Sequence, residues 1–255
     1  MKKIYKFLLN KLPRPLLIRL SYVFRWFAPL IYKGNNVECN VCHKHFRKFL
    51  SYGAEGHHRE NVLCPNCLTL ERHRLMWLFL EKKTIFFKDE IKVLHIAPEQ
   101  CFYSIFRKQK NLKYTTADLY SPLADVKMDL HNAPFDDNSF DVVFCNHVLE
   151  HVEDDKKCMS ELYRVMKPGG FGIFQVPIDY SRKETYEDKS ITSPEEREKH
   201  FWQKDHVRLY GLDYPDKLAA AGFKVSCDKI AKEIPSEQSS RLRLPMEEEV
   251  YYCVK

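Results

Sequence analysis

The sequence predicts an α/β protein, an open doubly wound sheet of seven strands preceded by a small cysteine-stapled lobe. Three observations carry this expectation. From Ile91 onward, short apolar stretches rich in β-branched and aromatic residues alternate with helical patterns. Within that alternation, Asp136 to Pro177 reads as one complete strand–helix–strand unit. Ahead of it stand two C-x2-C pairs, Cys39/Cys42 and Cys64/Cys67.

Lys92 to Ala97 is the first expected strand, followed by a helix around Phe102 to Lys108. Tyr114 to Ala117 is the second strand, closed by Asp118, and Asp125 to Met128 the third, closed by Asp129. Phe140 to Cys145 is a short apolar run that suits a buried parallel strand. Met159, Leu162, Tyr163 and Met166 recur at spacings of three and four, one face of a helix over Asp154 to Met166. Lys167-Pro168-Gly169-Gly170 is expected to stop that helix, because proline cannot continue it and glycine accepts a left-handed turn. Phe171 to Val176 is the fifth strand. A helix over Leu212 to Ala221, ended by Gly222, precedes the last two strands, Phe223 to Cys227 and Val250 to Val254. A doubly wound sheet holds its ligand at the carboxyl ends of its strands.

Apolar residues at 44% and charged ones at 30% of 255 residues indicate a globular chain, not a disordered one. The net charge of +6 is unevenly placed. Residues 1–33 hold eight Lys or Arg and no acid, which leaves the remaining 222 at −2. The main domain is therefore not a basic nucleic-acid surface. In residues 1–33, Lys2, Lys3, Lys6, Lys11, Arg14, Arg19, Arg25 and Lys33 interrupt an aromatic and aliphatic sequence. No uncharged run approaches the roughly 18–20 residues of a membrane span, and no signal-peptide pattern is present. The segment reads either as a helical arm packed on the domain or as an amphipathic peripheral contact with an anionic membrane. Nine cysteines, an odd number, with no secretory leader favour a reducing cytoplasm.

Twenty-one residues separate Cys42 from Cys64, so each pair turns two thiolates toward one point. That is the donor set of a tetrahedral structural zinc site, closed to water. Phe46 to Leu50 suggests a strand between the pairs, with Gly53 and Gly56 at turns. His43, His45, His57 and His58 could substitute as ligands, but four cysteines already suffice. A ribbon of this size depends on its metal for a core. Leu68 to Lys82 follows as a helix that joins the ribbon to the main domain. The expected organisation is a basic segment over 1–35, a zinc ribbon over 36–70, a connecting helix over 71–90 and the α/β domain over 91–255.

The block from Asp136 to Pro177 resembles the second half of a class I S-adenosylmethionine-dependent methyltransferase, in both element order and residues such as Leu149-Glu150-His151. The wider combination of Cys-Pro-x-Cys, Glu-Arg-His-Arg, Leu-His-Ile-Ala-Pro-Glu and Asp-His-Val-Arg-x-Tyr-Gly is similar to a bacterial subgroup of methyltransferase-domain proteins with an N-terminal zinc ribbon. The resemblance implies a Rossmann-like seven-stranded sheet whose last strand inserts antiparallel. It implies S-adenosylmethionine as cofactor, with Ala97 and Glu99 in the loop after the first strand. Asp118 would accept from the ribose hydroxyls, Asp129 with Leu130 would hold the adenine, and Asn146 would lie near the methionine portion. The chain departs from the family in one respect. The loop His95-Ile96-Ala97-Pro98-Glu99 contains no glycine, where the family usually has a glycine-rich turn.

Methyl transfer needs alignment and, for a hydroxyl or protonated amine, a base. Histidine is the natural candidate near neutral pH. His147, His151 and His206 are the candidate catalytic residues, and Arg208 and Tyr210 the candidate acceptor contacts. His147 to His151 also matches H-x-x-E-H, a metalloprotease pattern that needs a helix. The expected function is methylation of a small-molecule, glycan or lipid-linked acceptor in the cytoplasm, with residues 1–33 as a peripheral membrane contact. Two alternatives stand beside it: an RNA methyltransferase that reads its substrate through the ribbon, and a scaffold whose fold no longer binds cofactor.

Overall fold

The computed structural model describes residues 13–53 and 58–255. Lys2, Lys3, Lys6, Lys11, Gly56 and His57 lie outside the described residues. The chain divides into two compact units, Met1–Thr84 with Ile230–Glu248, and Ile85–Lys229 with Glu249–Lys255.

The first unit opens with helix α1, Arg14–Ile31, which has proline in its first turn. Strands β1 (Lys33–Cys39) and β2 (Lys44–Phe46) pair antiparallel, as do β3 (Leu50–Tyr52) and β4 (Arg59–Leu63). Helix α2, Glu71–Lys83, buries nearly every residue of its first ten positions. It was expected to be a connector, and Ile230–Glu248 to be part of the main domain. Both belong to this unit instead. The reason is Arg74. Its guanidinium is fully buried and donates to the carbonyls of Val62, Thr69, Leu242 and Arg243, the last two in the returning segment. A buried guanidinium needs several acceptors, and two of the four come from the returning segment.

The second unit is a seven-stranded sheet. Its strands are β5 (Ile91–Ile96), β6 (Leu112–Asp118), β7 (Val126–Lys127), β8 (Phe140–Cys145), β9 (Met166–Ile173), β12 (Lys224–Asp228) and β13 (Val250–Val254). The order is β12-β13-β9-β8-β5-β6-β7. The first five strands are parallel, and β13 runs antiparallel between β9 and β12, as the family resemblance implied. Helices α3 (Gln100–Phe106), α4 (Asp155–Val165), α5 (Pro194–Phe201) and α6 (Tyr214–Ala220) join the strands. A two-stranded ribbon, β10 (Tyr186–Glu187) with β11 (Arg208–Leu209), stands beside the sheet. Leu94, Ile96, Val143, Leu162 and Phe174 are core residues. The exception on β8 is Asp141, whose carboxylate accepts from Lys92 N and Lys167 Nζ.

One boundary moves. The Lys167-Pro168-Gly169-Gly170 turn is part of β9, which begins as α4 ends. Gly169 has φ 76, and a Cβ on Gly170 would lie 2.7 Å from the Asp141 carbonyl oxygen. The glycines thus permit an irregular strand start pressed against β8, where the register shifts between Phe140 and Val142.

Candidate active site

The carboxyl ends of β5, β6 and β8 bring most of the expected cofactor residues to one edge of the sheet. The loop after β5 lacks glycine but not the backbone shape that glycine usually supplies. Ala97 sits at φ 49, with its N–H donating to Ala117 O at 2.9 Å. Holding a non-glycine residue there costs ~1–2 kcal/mol. His147, just past the end of the neighbouring β8, sits at φ 55 and donates its N–H to Gln175 O at 2.7 Å. Strain of this kind gathers at functional loops.

Glu99 links the two strand ends. One carboxylate oxygen pairs with Nε2 of the buried His95, whose Nδ1 lies 2.8 Å from Tyr114 Oη. The other accepts from Asn146 Nδ2 at 3.3 Å. Asn146 in turn accepts from Gln175 N at 3.2 Å. A carboxylate accepts at both oxygens, which is the chemistry the expected contact with an amino group would use. Sequence reasoning overlooked His95 and Tyr114. The signal was a histidine inside an otherwise apolar strand.

Asp118 ends β6 and accepts from Tyr120 N at 2.6 Å and from Ser121 N. Both bonds fall on Oδ1, which leaves Oδ2 for a ligand. Leu119 and Tyr120, directly after it, are exposed. Asp129 begins the 3-10 turn Leu130–Asn132, and its Oδ1 accepts from His131 N at 2.9 Å and pairs with His131 Nδ1 at 2.6 Å. The backbone bond, followed by the imidazole, holds the Asp129 carboxyl below its ordinary range. The Leu130 side chain belongs to the core, so only its backbone could meet a ligand.

The histidine cluster differs from the expectation. Residues 146–154 form no helix, so the H-x-x-E-H match lacks the geometry a metalloprotease needs. His147 Nδ1 lies 3.3 Å from Glu150 Oε1. His151 Nδ1 lies 3.2 Å from Asp205 O, and its ring packs edge-on against His206 with centroids 4.7 Å apart. His206 is 1% exposed and donates from Nδ1 to Phe201 O at 2.9 Å. Burial holds its imidazole below the ordinary range, which makes it a poor acceptor-facing base.

Arg208 and Tyr210 require a correction. Both were expected to meet the acceptor, and both are buried. Arg208 donates to the carbonyls of Leu149, Val152 and Glu153 and to Glu187. Tyr210 donates to Asp155 at 2.8 Å. Those bonds tie residues 149–155 to the stretch 208–210. An open depression of about 410 Å³, lined in part by Lys92, Lys113, Phe135 and Phe140, lies at the amino ends of β5, β6 and β8. That is the opposite edge of the sheet, and no residue of the expected site lines it.

In the first unit, Cys39, Cys42, Cys64 and Cys67 gather as the spacing predicted, with their sulfurs within 4.8 Å of one another. Two of the pairs, Cys39–Cys67 and Cys42–Cys64, stand at 3.5 and 3.7 Å. A zinc tetrahedron with ~2.3 Å bonds has edges of about 3.8 Å, so the donor set fits that ion. The neighbouring thiols, Cys42 foremost, pull the Cys39 thiol well below its ordinary range.

Residues 93–174 match the family described as Methyltransferase domain. Cycloartenol-C-24-methyltransferase 1 of Oryza sativa subsp. japonica is 33% identical over 121 residues, 43% of this chain and 32% of that protein. The ubiquinone/menaquinone biosynthesis C-methyltransferase UbiE of Idiomarina loihiensis is 35% identical over 65 residues, 24% of this chain and 26% of that protein. The matched stretches thus span about a third or less of these relatives. Among solved structures, the cyclase SpnF aligns with a TM-score of 0.50 at 14% identity, covering 93% of this chain and 94% of that one. That likeness concerns the fold alone. Residues 93–174 thus match a methyltransferase domain family, and the seven-stranded sheet with its antiparallel last strand has the class I methyltransferase fold.

Proposed function

We propose that this chain is an S-adenosylmethionine-dependent methyltransferase acting on a small-molecule, glycan or lipid-linked acceptor. The observation that carries the reading is the row of polar groups at adjacent strand ends, Glu99, Asn146 and Asp118, beside the strained Ala97. S-adenosylmethionine supplies an electrophilic sulfonium methyl. Glu99 would accept from its amino group, Asp118 from its ribose hydroxyls, and the Asp129–Leu130 turn would border its adenine. His147 is the base we assign. Its side chain is 30% exposed as a whole, and Glu150 orients its Nδ1, which leaves the buried Nε2, without a hydrogen bond, to take a proton.

The sterol and quinone named in the two relatives support a small or lipid-like acceptor. Helix α1 supports a site of action at an anionic membrane surface. It exposes Trp26 at 74% and Leu30 at 73%, and carries arginines but no acid. No helix among the described residues is long and apolar enough to cross a membrane. We assign structural zinc to the four cysteines.

Calorimetric titration of zinc-loaded protein with S-adenosylmethionine and S-adenosylhomocysteine tests the reading. Micromolar binding of both is expected. No binding to well-folded, zinc-replete protein would overturn it and favour the scaffold alternative.

A further inference from the structure

Glu150 and His206 are 56 residues apart in sequence, yet one donor atom from each of Glu150, His151 and His206 lies within 4.8 Å of the others. Two of the three are almost fully buried, Glu150 at 2% and His206 at 1% exposure. Their ligand-side atoms have no partner. Glu150 Oε2 and His206 Nε2 are both buried and form no hydrogen bond. An unsatisfied buried carboxylate oxygen costs several times what an ordinary hydrogen bond contributes. Native structures complete such groups with an ion, a ligand or an ordered water.

The imidazoles are also set in the tautomer a metal needs. His206 Nδ1 donates to the Phe201 carbonyl, and His151 Nδ1 faces the Asp205 carbonyl. A backbone oxygen at Nδ1 fixes the proton there and leaves the Nε2 lone pair for a metal. On Glu150, His147 Nδ1 pairs with Oε1 and so leaves Oε2 for the ion. Each of the three side chains thus has its other polar atom held by a neighbour.

We infer that Glu150, His151 and His206 form a second metal site, distinct from the four cysteines, for one divalent first-row cation. Two imidazoles and one carboxylate suit Mn²⁺, Fe²⁺ or Zn²⁺ and not the thiolate-preferring ions. Bonds of ~2.1 Å put adjacent donors about 3 Å apart, so side-chain shifts of about an ångström close the cluster onto an ion. Three protein ligands leave open positions, and His151, with a third of its side chain exposed, marks their solvent side. Those positions would take oxygen donors, water or a chelating hydroxyl or carbonyl compound. The metal site stands on its own residues. Only the identification of that oxygen compound with the methyl acceptor rests on the function proposed above.

The test is Mn²⁺ titration of the full chain loaded with a single equivalent of zinc, which the four thiolates take first, followed by the loss of the free-ion electron paramagnetic resonance signal. Mn²⁺ is too hard to displace zinc from four thiolates. One Mn²⁺ per chain is expected, with spin-echo modulation from imidazole nitrogen. Glu150→Gln and His206→Gln should each weaken it at least about 10–100-fold. Should either buried variant misfold, His151→Gln replaces a partly exposed ligand and should remove one nitrogen from the modulation. Absence of Mn²⁺ binding up to millimolar concentration, or affinity and modulation undiminished in the variants, would overturn the site. S-adenosylhomocysteine calorimetry on the same samples separates the two readings. Cofactor binding without Mn²⁺ binding sinks the metal site alone, and Mn²⁺ binding without cofactor binding sinks the methyltransferase reading alone.

Discussion

Asp118 has two tasks on its two oxygens. Oδ1 caps the turn through Tyr120 N and Ser121 N, and Oδ2 is the oxygen we assign to the ribose. Asparagine keeps an oxygen for the turn but replaces the other acceptor with a donor. Asp118→Asn should therefore weaken S-adenosylhomocysteine by ~10–100-fold, the worth of a charged hydrogen bond, while the melting temperature barely moves. Equal cofactor affinity in the variant would remove Asp118 from the site. His147 separates chemistry from binding in the same way. Its Nδ1 is held by Glu150 Oε1. His147→Gln should lower kcat by about 10²–10⁴-fold with cofactor affinity intact. A drop of only a few-fold would rule out the base role.

At the scale of elements, α4 is fastened by Glu161 and Arg164. Glu161 accepts from Arg164 Nε and Nη2 and from Ala133 N, each at 2.9 Å. Those bonds, the guanidinium first, hold the Glu161 carboxyl below its ordinary value of 4.5. Its folded pKa thus lies under its unfolded one. The stability it contributes is complete above the unfolded value and disappears as pH falls through the folded value. Melting temperature should decline on acidification below about pH 4.5, and more shallowly in Glu161→Gln. Identical slopes would show that the pair is not responsible.

The strands around the four thiolates are short, β2 and β3 of three residues each. Chelating its zinc should abolish amide-exchange protection in β1–β4 and α2 while β5, β8 and β9 stay protected. Metal analysis should first find zinc on the four cysteines, and Cys64→Ser should reduce it. Exchange protection unchanged by chelation would mean that the fold of this unit does not depend on metal.

Over the whole molecule, charge and function divide. The net charge of +6 arises from residues 1–33, and the rest of the chain is slightly acidic. Bulk RNA affinity rests on neutralising phosphates, so that balance favours a localised contact over a broad nucleic-acid surface. The zinc-loaded protein should co-sediment with anionic phospholipid vesicles. Binding should weaken as salt rises and fall further in Trp26→Ala. Equal sedimentation with neutral and anionic vesicles, or none with either, would remove the membrane assignment.

The sequence by itself determined the alternating strands and helices, the seven-stranded architecture and the four-cysteine cluster. Each rests on local information: period, β-branching, or a two-residue gap between thiols. Asp118 and Asn146 could likewise be placed at strand ends, because a polar residue directly after an apolar run marks the edge. Tertiary structure alone decided the rest. Arg74 ties Ile230–Glu248 to the cysteine unit because two of its carbonyl acceptors, Leu242 and Arg243, lie far along the chain. Arg208 and Tyr210 turned inward because Leu149, Val152, Glu153 and Asp155 offered the acceptors they required. Ala97 adopted the shape expected of glycine because pairing with Ala117 held its backbone there. Glu150 and His206 meet through packing between segments, and no periodicity within either segment records that contact.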